Sequence, residues 1–505
     1  MKKLIKTTTS ILLALTIVSC GGPTESAEKS TETTETSNSN NSSTLNPSEL
    51  DPVELNLYFV GDGKPGYEDM LEVFNEKISK DINATIKVNW IGWSDFSNQY
   101  PLVLASGEPI DLIYTSNWLG FYQQASKGAF LPLEDLLPTY APESLKQTSE
   151  SSIIQATVNG HMYALPAERI AISSMGSIVR GDLMDKYNIE PLVGFEGLEK
   201  YLQAVSDNEP SLIPTDLNSS ENLYDDMYFT QHGNYGISGS TDSSYYIDLN
   251  SKEPQVTSVA DTKGVEDMIK IFKKWYEEGF WQASVLSNQD TEMFENGMAA
   301  SKLHNMDRWV SAYMKYPEWD VKYYDMTNMI NYNAALQDAM AIPVTAENPE
   351  RALMLLERLR TDRDTYDIFT YGIPNEQSII HEDGTVEAVD DTNFSLDPTS
   401  WAIHTEEFYR YKTGLPQEYF DLLDSLMNQR VDNIYKAFYM DLEPIKNEYA
   451  AVQNVIAQYY EPLILGYVDP ESGLKELREQ LKIAGNDQVI AELQKQLDVF
   501  EAKYK

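Results

Sequence analysis

The stretch VELNLYFVGDGKPG, residues 53–66, decides the fold class of this chain. It alternates polar and apolar residues, runs into Tyr58-Phe59-Val60 and stops at a glycine, which is the pattern of a strand that ends in a turn. A helix is predicted next, because apolar residues recur at helical spacing at Met70, Phe74 and Ile78. This first unit is therefore a strand, a turn and a helix.

The same alternation continues along the chain. Residues 84–90 predict a second strand, residues 95–105 a second helix, and residues 111–114 a third strand. Strands that alternate with helices build βαβ units on a mainly parallel sheet, so we predict an α/β fold. Beyond Ser400 nearly every segment has a helical pattern.

The amino terminus has the layout of a secretory signal. Three lysines precede an apolar run from Ile11 to Val18, which is too short to span a bilayer, and Cys20 follows. Ile17-Val18-Ser19-Cys20 resembles a lipobox, in which the peptide is cut before a cysteine that carries a diacylglycerol. We therefore predict a signal peptide over residues 1–19 and lipidation of Cys20, the single cysteine of the chain.

Composition limits the partners of the folded body. Residues 21–50 are so rich in Ser, Thr, Asn and Glu that we predict a disordered tether, over residues 20–52 with the lipidated cysteine. The formal charge is −41, or −44 once the three signal lysines are removed. This balance argues against nucleic acid, anionic lipid surfaces and polyanions as partners, and a neutral or locally compensated ligand fits better.

Five short motifs in the body carry a resemblance to a known family. They are LASGEPIDLI (104–113), GAFLPLEDLL (128–137), NGHMYALP (159–166), VRGDLMDKY (179–187) and FENGMAA (294–300). Each motif is weak alone, but in this order they resemble the family-1 extracellular solute-binding proteins. The tail resembles a helical C-terminal domain of unknown function found in one subfamily, through PIKNE (444–448), GYVDP (466–470), AG (484–485) and QKQLD (494–498).

The resemblance implies a type II, periplasmic-binding-protein-like fold of two α/β lobes with a helical C-terminal extension. By analogy, lobe one takes residues 53–166 and 320–343, and lobe two takes residues 167–318 and 345–505, with the helical region at about 400–505. It also implies a monomer that captures a small-molecule ligand, an oligosaccharide, by lobe closure and delivers it to an ABC permease. We expect no cofactor, no metal and no nucleic acid.

A glycan site needs aromatic rings for stacking on sugar C–H faces and polar groups for hydrogen bonds. Trp93 and Trp118 follow the second and third strands, and loops at strand ends favour function. Trp309 follows the 294–300 motif, where the family often carries a ligand-stacking tryptophan. For any single tryptophan a core or surface position is the commoner case.

Polar candidates complete the predicted ligand site. Glu168 and Arg180 flank the first expected crossing between lobes, and Arg308 stands beside Trp309. Solvated charges or ion pairs between the lobes are an equally good interpretation of these three residues. Tyr163 belongs to the set but also fits simple strand packing, and Asp62 lies in a loop that borders the cleft in the family.

The sequence gives little support to a dinucleotide-dependent enzyme or to a hydrolase. Residues 61–66 fit the G-x-G-x-x-G dinucleotide fingerprint, but Pro65 lacks an N–H donor and Asn89 supplies no carboxylate for a ribose, so we favour a flexible loop. The five histidines show no metal-ligand spacing, and no G-x-S-x-G elbow occurs. A secreted glycoside-active enzyme, a binding protein for peptides and a lipoprotein for adhesion or peptide signalling remain as alternatives to a non-enzymatic glycan-binding protein.

Overall fold

The structure is a computed structural model, and it describes residues 50–167, 175–217, 224–237, 244–288, 292–326, 330–332, 335–396 and 399–504. Cys20, the predicted signal peptide and nearly all of the predicted tether lie outside these described residues, as does Glu168.

The strands alternate with helices along most of the chain. In chain order the strands are β1 (Val53–Val60), β2 (Ala84–Ile91), β3 (Leu112–Thr115), β4 (Thr157–Val158), β5 (His161–Met162), β6 (Ala164–Pro166), β7 (Met175–Val179), β8 (Asn234–Gly236), β9 (Tyr245–Asp248), β10 (Val256–Ser258), β11 (Ser301–Asn305), β12 (Lys322–Asp325), β13 (Ile330–Tyr332), β14 (Ala339–Ala341), β15 (Ser378–Ile380), β16 (Val386–Ala388) and β17 (Arg430–Asp432).

The α-helices are α1 (Gly66–Ile82), α2 (Phe96–Ala105), α3 (Phe121–Ser126), α4 (Leu137–Tyr140), α5 (Pro142–Gln147), α6 (Glu150–Gln155), α7 (Gly181–Tyr187), α8 (Gly194–Asn208), α9 (Tyr224–Gln231), α10 (Val265–Glu277), α11 (Met306–Lys315), α12 (Pro349–Thr361), α13 (Arg363–Tyr371), α14 (Thr399–Ala402), α15 (Gln417–Asn428), α16 (Lys446–Val455), α17 (Glu461–Ile464), α18 (Pro470–Ile483) and α19 (Asn486–Tyr504). A π-helical segment, Ile456–Tyr460, joins α16 to α17.

Lobe one is built on a five-stranded sheet in the order β2-β1-β3-β14-β6. Strands β1, β2 and β3 are parallel, β14 is antiparallel to both of its neighbours, and β6 therefore runs in the direction of β1. The first two predicted strands and the helix between them are confirmed at nearly the predicted residues. As a result β1, β2, β3 and β6 all end on one edge of the sheet, which we call the carboxyl edge.

Lobe two is built on a three-stranded antiparallel sheet in the order β11-β7-β12 and a second antiparallel sheet in the order β10-β9-β8. Its largest core gathers apolar side chains of α8, α9, α10 and β9 around the buried Trp275. The apolar residues Val265, Met268, Ile269 and Phe272 of α10 recur at helical spacing and are all buried. A smaller core lies between α11 and the β11-β7-β12 sheet.

The C-terminal helices belong to the core of lobe two. Val489, Leu493 and Leu497 of α19 are fully buried among its side chains. The Tyr245 hydroxyl donates to Asn486 Oδ1 at 2.8 Å, and the Val256 N–H donates to Gln494 Oε1 at 2.8 Å. The tail is therefore a structural layer on the β10-β9-β8 sheet, and the sequence did not reveal what it contributes.

Two predicted lobe boundaries are wrong. Residues 322–325 form β12, which pairs with β7 of lobe two, so the chain does not return to lobe one at residue 320. Met326 belongs to the core of lobe two and Leu336 to that of lobe one, which places this crossing between them. Side chains alternate between the two faces of β12, and Tyr323 packs into the smaller core of lobe two. This packing assigns β12 to lobe two.

Residues 345–413 were assigned to lobe two but pack in lobe one. Phe369 of α13 lies 4.9 Å from Phe74 and 6.0 Å from Phe59, measured between ring centroids. The Arg351 guanidinium donates to the Asn83 carbonyl at 2.9 Å and fixes α12 to the end of α1. Residues 403–416 also contain no α-helix, so the helical prediction beyond Ser400 is too broad.

The third crossing between the lobes follows Thr413. The Thr413 N–H donates to the Val386 carbonyl of lobe one at 2.9 Å, whereas Gly414 lies against Met314 of α11 in lobe two. The backbone of β13, in the second crossing, pairs in parallel with β17. Each lobe is thus built from two separate parts of the chain. The short β13-β17 pair forms part of the connection between the lobes.

Candidate functional site

The carboxyl edge of the lobe-one sheet collects the predicted residues Asp62, Trp93 and Trp118. They follow β1, β2 and β3 respectively, and parallel neighbouring strands must end side by side. β6 ends at this edge before the first crossing to lobe two, and β14 begins there after the second. This edge therefore faces the other lobe, as expected for a ligand site in an open α/β sheet.

Five aromatic rings form a contiguous cluster at this edge, which we call the aromatic platform. Its members are Trp93, Phe96, Tyr114, Trp118 and Trp401. The Trp93 and Trp118 rings lie nearly parallel, with centroids 6.1 Å apart and an interplanar angle of 24°. Phe96 stands edge-on to both rings, at 5.8 Å from Trp93 and 5.5 Å from Trp118.

The platform is open to solvent on its outer side. Trp93 is 43% exposed, which is unusual for a tryptophan next to a buried strand, and Trp118 and Trp401 are half-buried. Tyr114 is fully buried beneath them. A flat aromatic surface of this kind offers stacking area to the apolar face of a sugar ring.

Trp401 was missed by sequence reasoning. It lies on α14, 4.9 Å from Tyr114 and 6.0 Å from Trp93 between ring centroids. Because residues 345–505 were assigned to lobe two, Trp401 was placed in the wrong lobe. No local pattern around Trp401 marks it, since its neighbours in the platform come from residues about 300 positions earlier.

A buried hydrogen bond fixes the base of the platform. The Tyr114 hydroxyl donates to Asp338 Oδ1 at 2.8 Å, just before β14 begins. Tyr114 supports both Trp118 and Trp401, and Asp338 is buried. The bond therefore connects the platform to the second crossing between the lobes.

The glycines of the 61–66 loop serve packing. A Cβ at Gly63 would lie 2.4 Å from the Trp90 indole, and one at Gly66 would lie 2.9 Å from the Asn393 carbonyl oxygen. The Gly66 N–H already donates to that carbonyl at 2.9 Å. Asn393 therefore occupies the place where a pyrophosphate would approach. The close packing of Gly63 and Gly66 explains the glycines of the G-x-G-x-x-G pattern.

Trp309 is a core residue, which corrects the prediction that placed it at the ligand site. It is 3% exposed, and its indole N–H donates to the Val321 carbonyl at 2.9 Å. Its ring stacks on Tyr419 with centroids 6.1 Å apart. α11 turns Trp309 toward the β11-β7-β12 sheet, so no face of the indole is free for a ligand.

Arg180 lies at the far end of β7 from the first crossing, so the structure does not bring it to the site. It makes a bidentate ion pair with Asp182, with Nη2 to Oδ2 at 2.6 Å, and its guanidinium lies 4.7 Å from the Trp319 ring centroid. Carboxylate bonding raises the pKa of Arg180. Arg180 is therefore an ion-paired structural residue within lobe two, and not the solvated charge or the ion pair between the lobes that the sequence left open.

Arg308 is nearer to the interlobe face. Asn305, just before α11, pairs with Met175 at the start of β7, which directly follows the first crossing. The Asn305 side chain accepts from the Arg308 N–H at 3.1 Å and caps α11, while Arg308 Nε lies 3.0 Å from Glu295. Arg308 is thus close to the expected site but already has a carboxylate partner.

Tyr163 precedes β6 and so stands at the opposite edge of the sheet from the platform. It is half-buried against the core of lobe one, which agrees with simple strand packing. Of the eight predicted ligand-site residues, Asp62, Trp93 and Trp118 meet at the carboxyl edge. Within the described residues no group of three or more His, Cys, Asp or Glu is placed to hold a metal ion.

Comparison with known proteins assigns the family. The model of bacterial extracellular solute-binding proteins matches residues 69–383, more than half of the chain. This chain belongs to that family. In this solute-binding protein, residues 434–502 also match a domain of unknown function, which corresponds to the layer formed by α16–α19 and confirms the resemblance seen in the tail.

Two sequence relatives extend the comparison over nearly the whole chain. A carbohydrate ABC transporter substrate-binding protein of Streptococcus pneumoniae is 22% identical over 499 residues, which cover 97% of this chain and 96% of the relative. The lipoprotein LipO of Bacillus subtilis is 22% identical over 461 residues, which cover 83% and 87%. The first relative is named as a substrate-binding protein and the second as a lipoprotein.

A solved structure confirms the fold. The N-glycan transport solute-binding protein NgtS of Streptococcus pneumoniae superposes with a TM-score of 0.77 at 20% identity, covering 90% of this chain and 100% of that one. The same protein in complex with Man5GlcNAc gives a TM-score of 0.71 at 21% identity, covering 90% and 99%. The two-lobed α/β architecture of this solute-binding protein is therefore shared with a solved solute-binding protein.

Proposed function

We propose that this protein captures an oligosaccharide outside the cell and delivers it to an ABC importer. The aromatic platform at the carboxyl edge of lobe one carries this proposal, because three tryptophans at an interlobe face suit the stacking of sugar rings. The proposal is supported by two relatives whose names state carbohydrate and N-glycan transport.

The protein acts at the outer surface of the membrane, attached through a diacylglycerol on Cys20 after removal of residues 1–19. The LipO relative is a lipoprotein, and in the described part of the chain no helix is long and apolar enough to cross a membrane. The body works as a monomer whose two lobes close on the ligand. It binds and releases the sugar without hydrolysing it.

Tryptophan fluorescence titrated with neutral di- to hexasaccharides tests the proposal. We expect saturable changes with at least one sugar, and loss of binding in Trp93→Ala and Trp118→Ala because each removes a ring of the platform. Trp319→Ala is the matched control, since Trp319 is a half-buried tryptophan of lobe two outside the platform.

Each alternative gives a different result in the same titration. Release of new reducing ends would mean a glycoside-active enzyme and would overturn the proposal. Silence toward every sugar together with a response to peptides would move the protein to another class of solute. Equal loss of binding in Trp319→Ala would show that the platform is not the ligand site.

A further inference from the structure

The segment that follows β17 packs its side chains into both lobes. Phe438 and Met440 are buried in the core of lobe two, whereas Tyr439, between them, packs against the core of lobe one. The backbone at Phe438 is extended, with φ −76° and ψ 118°, and successive side chains of an extended segment point in opposite directions. Residues 438–440, which we call the bridging segment, therefore connect the lobes by packing, in addition to the three crossings of the backbone.

Tyr439 meets the ring of Tyr122 in lobe one. The two rings are stacked, with centroids 5.0 Å apart and an interplanar angle of 22°. Tyr122 belongs to α3 and is 3% exposed, so its side of the contact is enclosed by protein. Burial raises the pKa of Tyr439, and a side-chain hydrogen bond with Ser126 at the end of α3 opposes that rise. Tyr439 is thus held in lobe one by a ring stack and a hydrogen bond.

The bridging segment lies close to the second crossing between the lobes. The helical turn before it, Ile434–Ala437, packs against α6 of lobe one, and α6 also packs against Ala335–Gln337 at the end of the second crossing. β17, which precedes that turn, pairs with β13 in the same crossing. The parts of two hinged bodies that lie near the axis move least, so the stack on Tyr439 is placed to persist while the lobes close.

The C-terminal layer holds the lobe-two side of the bridging segment. The Phe438 ring packs on Phe500 of α19, with centroids 5.5 Å apart. Gln496, also on α19, accepts from the Asp441 N–H at 2.9 Å and donates to the Asp441 carbonyl at 2.9 Å. Both α19 and the bridging segment lie in residues 434–502, which match the domain of unknown function. This domain therefore fixes the backbone that carries Tyr439.

We propose that Tyr439 is the pivot on which the two lobes turn, and that the C-terminal domain serves to hold this pivot in place. The inference rests on the proposed function, because lobe closure is the motion that the pivot guides. Three backbone crossings alone would permit the lobes to twist and slide as well as close, and a ring packed between them restricts these motions. Capture of a ligand then orders fewer motions and costs less free energy, so Tyr439 is a positioning residue that strengthens binding without contacting the sugar.

Distance distributions between the lobes test the pivot without any ligand. Cys20 is the single cysteine of the chain, so the mature chain with Cys20→Ser accepts spin labels at two introduced cysteines, Glu72→Cys on α1 and Lys270→Cys on α10, which replace exposed residues. Double electron–electron resonance should give a narrow distribution for this parent protein. Tyr439→Ala should widen the distribution about twofold because the packed contact is lost, whereas Tyr439→Phe keeps the ring and should leave the width nearly unchanged.

Variants of the C-terminal layer test its role in holding the pivot. Gln496→Ala removes both hydrogen bonds to Asp441 and is expected to widen the distribution, by less than Tyr439→Ala because the ring packing on α19 remains. The matched control is Gln480→Ala on α18, whose side chain bonds to Glu476 of the same helix. This control is expected to leave the width unchanged.

Calorimetry with the tightest-binding neutral oligosaccharide measures the effect of the pivot on capture. Kd should rise about fivefold in Tyr439→Ala, since bringing loosely connected lobes together costs more free energy, and it should stay within about twofold of the parent value in Tyr439→Phe. An equal rise in both variants would mean that the hydroxyl matters and the packed ring does not, which contradicts the pivot.

The outcomes separate this inference from the function on which it rests. Silence toward all sugars overturns the proposed function, while the distance distributions still decide whether Tyr439 restricts the lobes. Equal widths for the parent and Tyr439→Ala overturn the pivot even when a sugar binds. If Tyr439→Ala does not fold, an unchanged width in Gln496→Ala overturns it instead. Widening by Gln480→Ala as large as that by Gln496→Ala refutes the role assigned to α19.

Discussion

Trp93 and Trp309 are both tryptophans shortly after a strand, yet they meet different surroundings. Trp93 follows a parallel strand at the carboxyl edge of lobe one and keeps 43% of its surface exposed. Trp309 lies in the first turns of α11, where its indole N–H is consumed by the Val321 carbonyl. Burial and hydrogen bonding therefore assign Trp309 to the core and leave Trp93 accessible to the proposed ligand.

Trp309→Ala is expected to destabilise the protein by about 3–5 kcal/mol, because it opens a cavity in the small core of lobe two and removes the stack on Tyr419. Trp93→Ala is expected to cost less, about 1–2 kcal/mol, because Trp93 is 43% exposed and loses only its contacts with the other platform rings. Urea denaturation of both variants measures the difference. Equal destabilisation by the two substitutions would contradict the assignment.

Asp225 is a buried carboxyl whose charge state affects folding. Burial raises its pKa from 3.8 to about 7, against the hydrogen bond that the Tyr460 hydroxyl donates to Oδ2 at 2.7 Å. Between these two pH values the folded state holds a proton that the unfolded state has released. The stability that Asp225 contributes therefore decreases as the pH rises from 3.8 to about 7, and it stays constant at higher pH.

Asp225→Asn is expected to remove this decrease in stability with rising pH. An amide oxygen still accepts from Tyr460, so the variant should be more stable than wild type at pH 8, by roughly 2–4 kcal/mol, and nearly equal to it at pH 4. Thermal unfolding at both pH values measures the change, with the exposed Asp207→Asn as control. A stability gain that is the same at both pH values would show that Asp225 does not titrate in this window.

At the scale of elements, the local sequence pattern predicts where a strand or helix forms, whereas tertiary contacts decide which lobe it joins. The first strands and α1 were predictable because their apolar spacing is set by the sheet and helix periods. Trp93 and Trp118 were expected at strand ends, whereas Asp62 was expected from the position of its loop in the family. The lobe of α12 and α13 was not predictable, since it depends on Phe369 meeting Phe74 almost 300 residues away. Trp401 was missed for the same reason.

α19 shows how an added element can become part of a core. Its buried face, formed by Val489, Leu493 and Leu497, covers the β10-β9-β8 sheet. Leu493→Ala is expected to cost about 2–5 kcal/mol of stability, whereas Lys495→Ala on the exposed face of the same helix should be nearly neutral. The melting temperatures of the two variants, measured by thermal unfolding, test this difference. If Leu493→Ala left the melting temperature unchanged, the helix would be an accessory and not a layer of lobe two.

At the scale of the whole molecule, three crossings connect the two lobes, and the aromatic platform stands at the edge where two of these crossings meet lobe one. A ligand that touches both lobes makes its full set of contacts only when the lobes are together, so binding shifts the population toward the closed form. The Tyr114 to Asp338 hydrogen bond ties the platform to the start of β14, at the end of the second crossing.

Lobe closure is expected to make the molecule more compact. Small-angle scattering of the mature protein should show a smaller radius of gyration when the tightest-binding neutral oligosaccharide is added at saturation, because the interlobe space is lost on closing. Trp118→Ala, which removes a platform ring, should show no change at the same sugar concentration, since it does not bind. Trp319→Ala, whose altered ring lies outside the platform in lobe two, should close like the wild type. Binding without any decrease in the wild-type radius would mean that the sugar is held by lobe one alone, and recognition by an importer would then need a signal other than lobe closure.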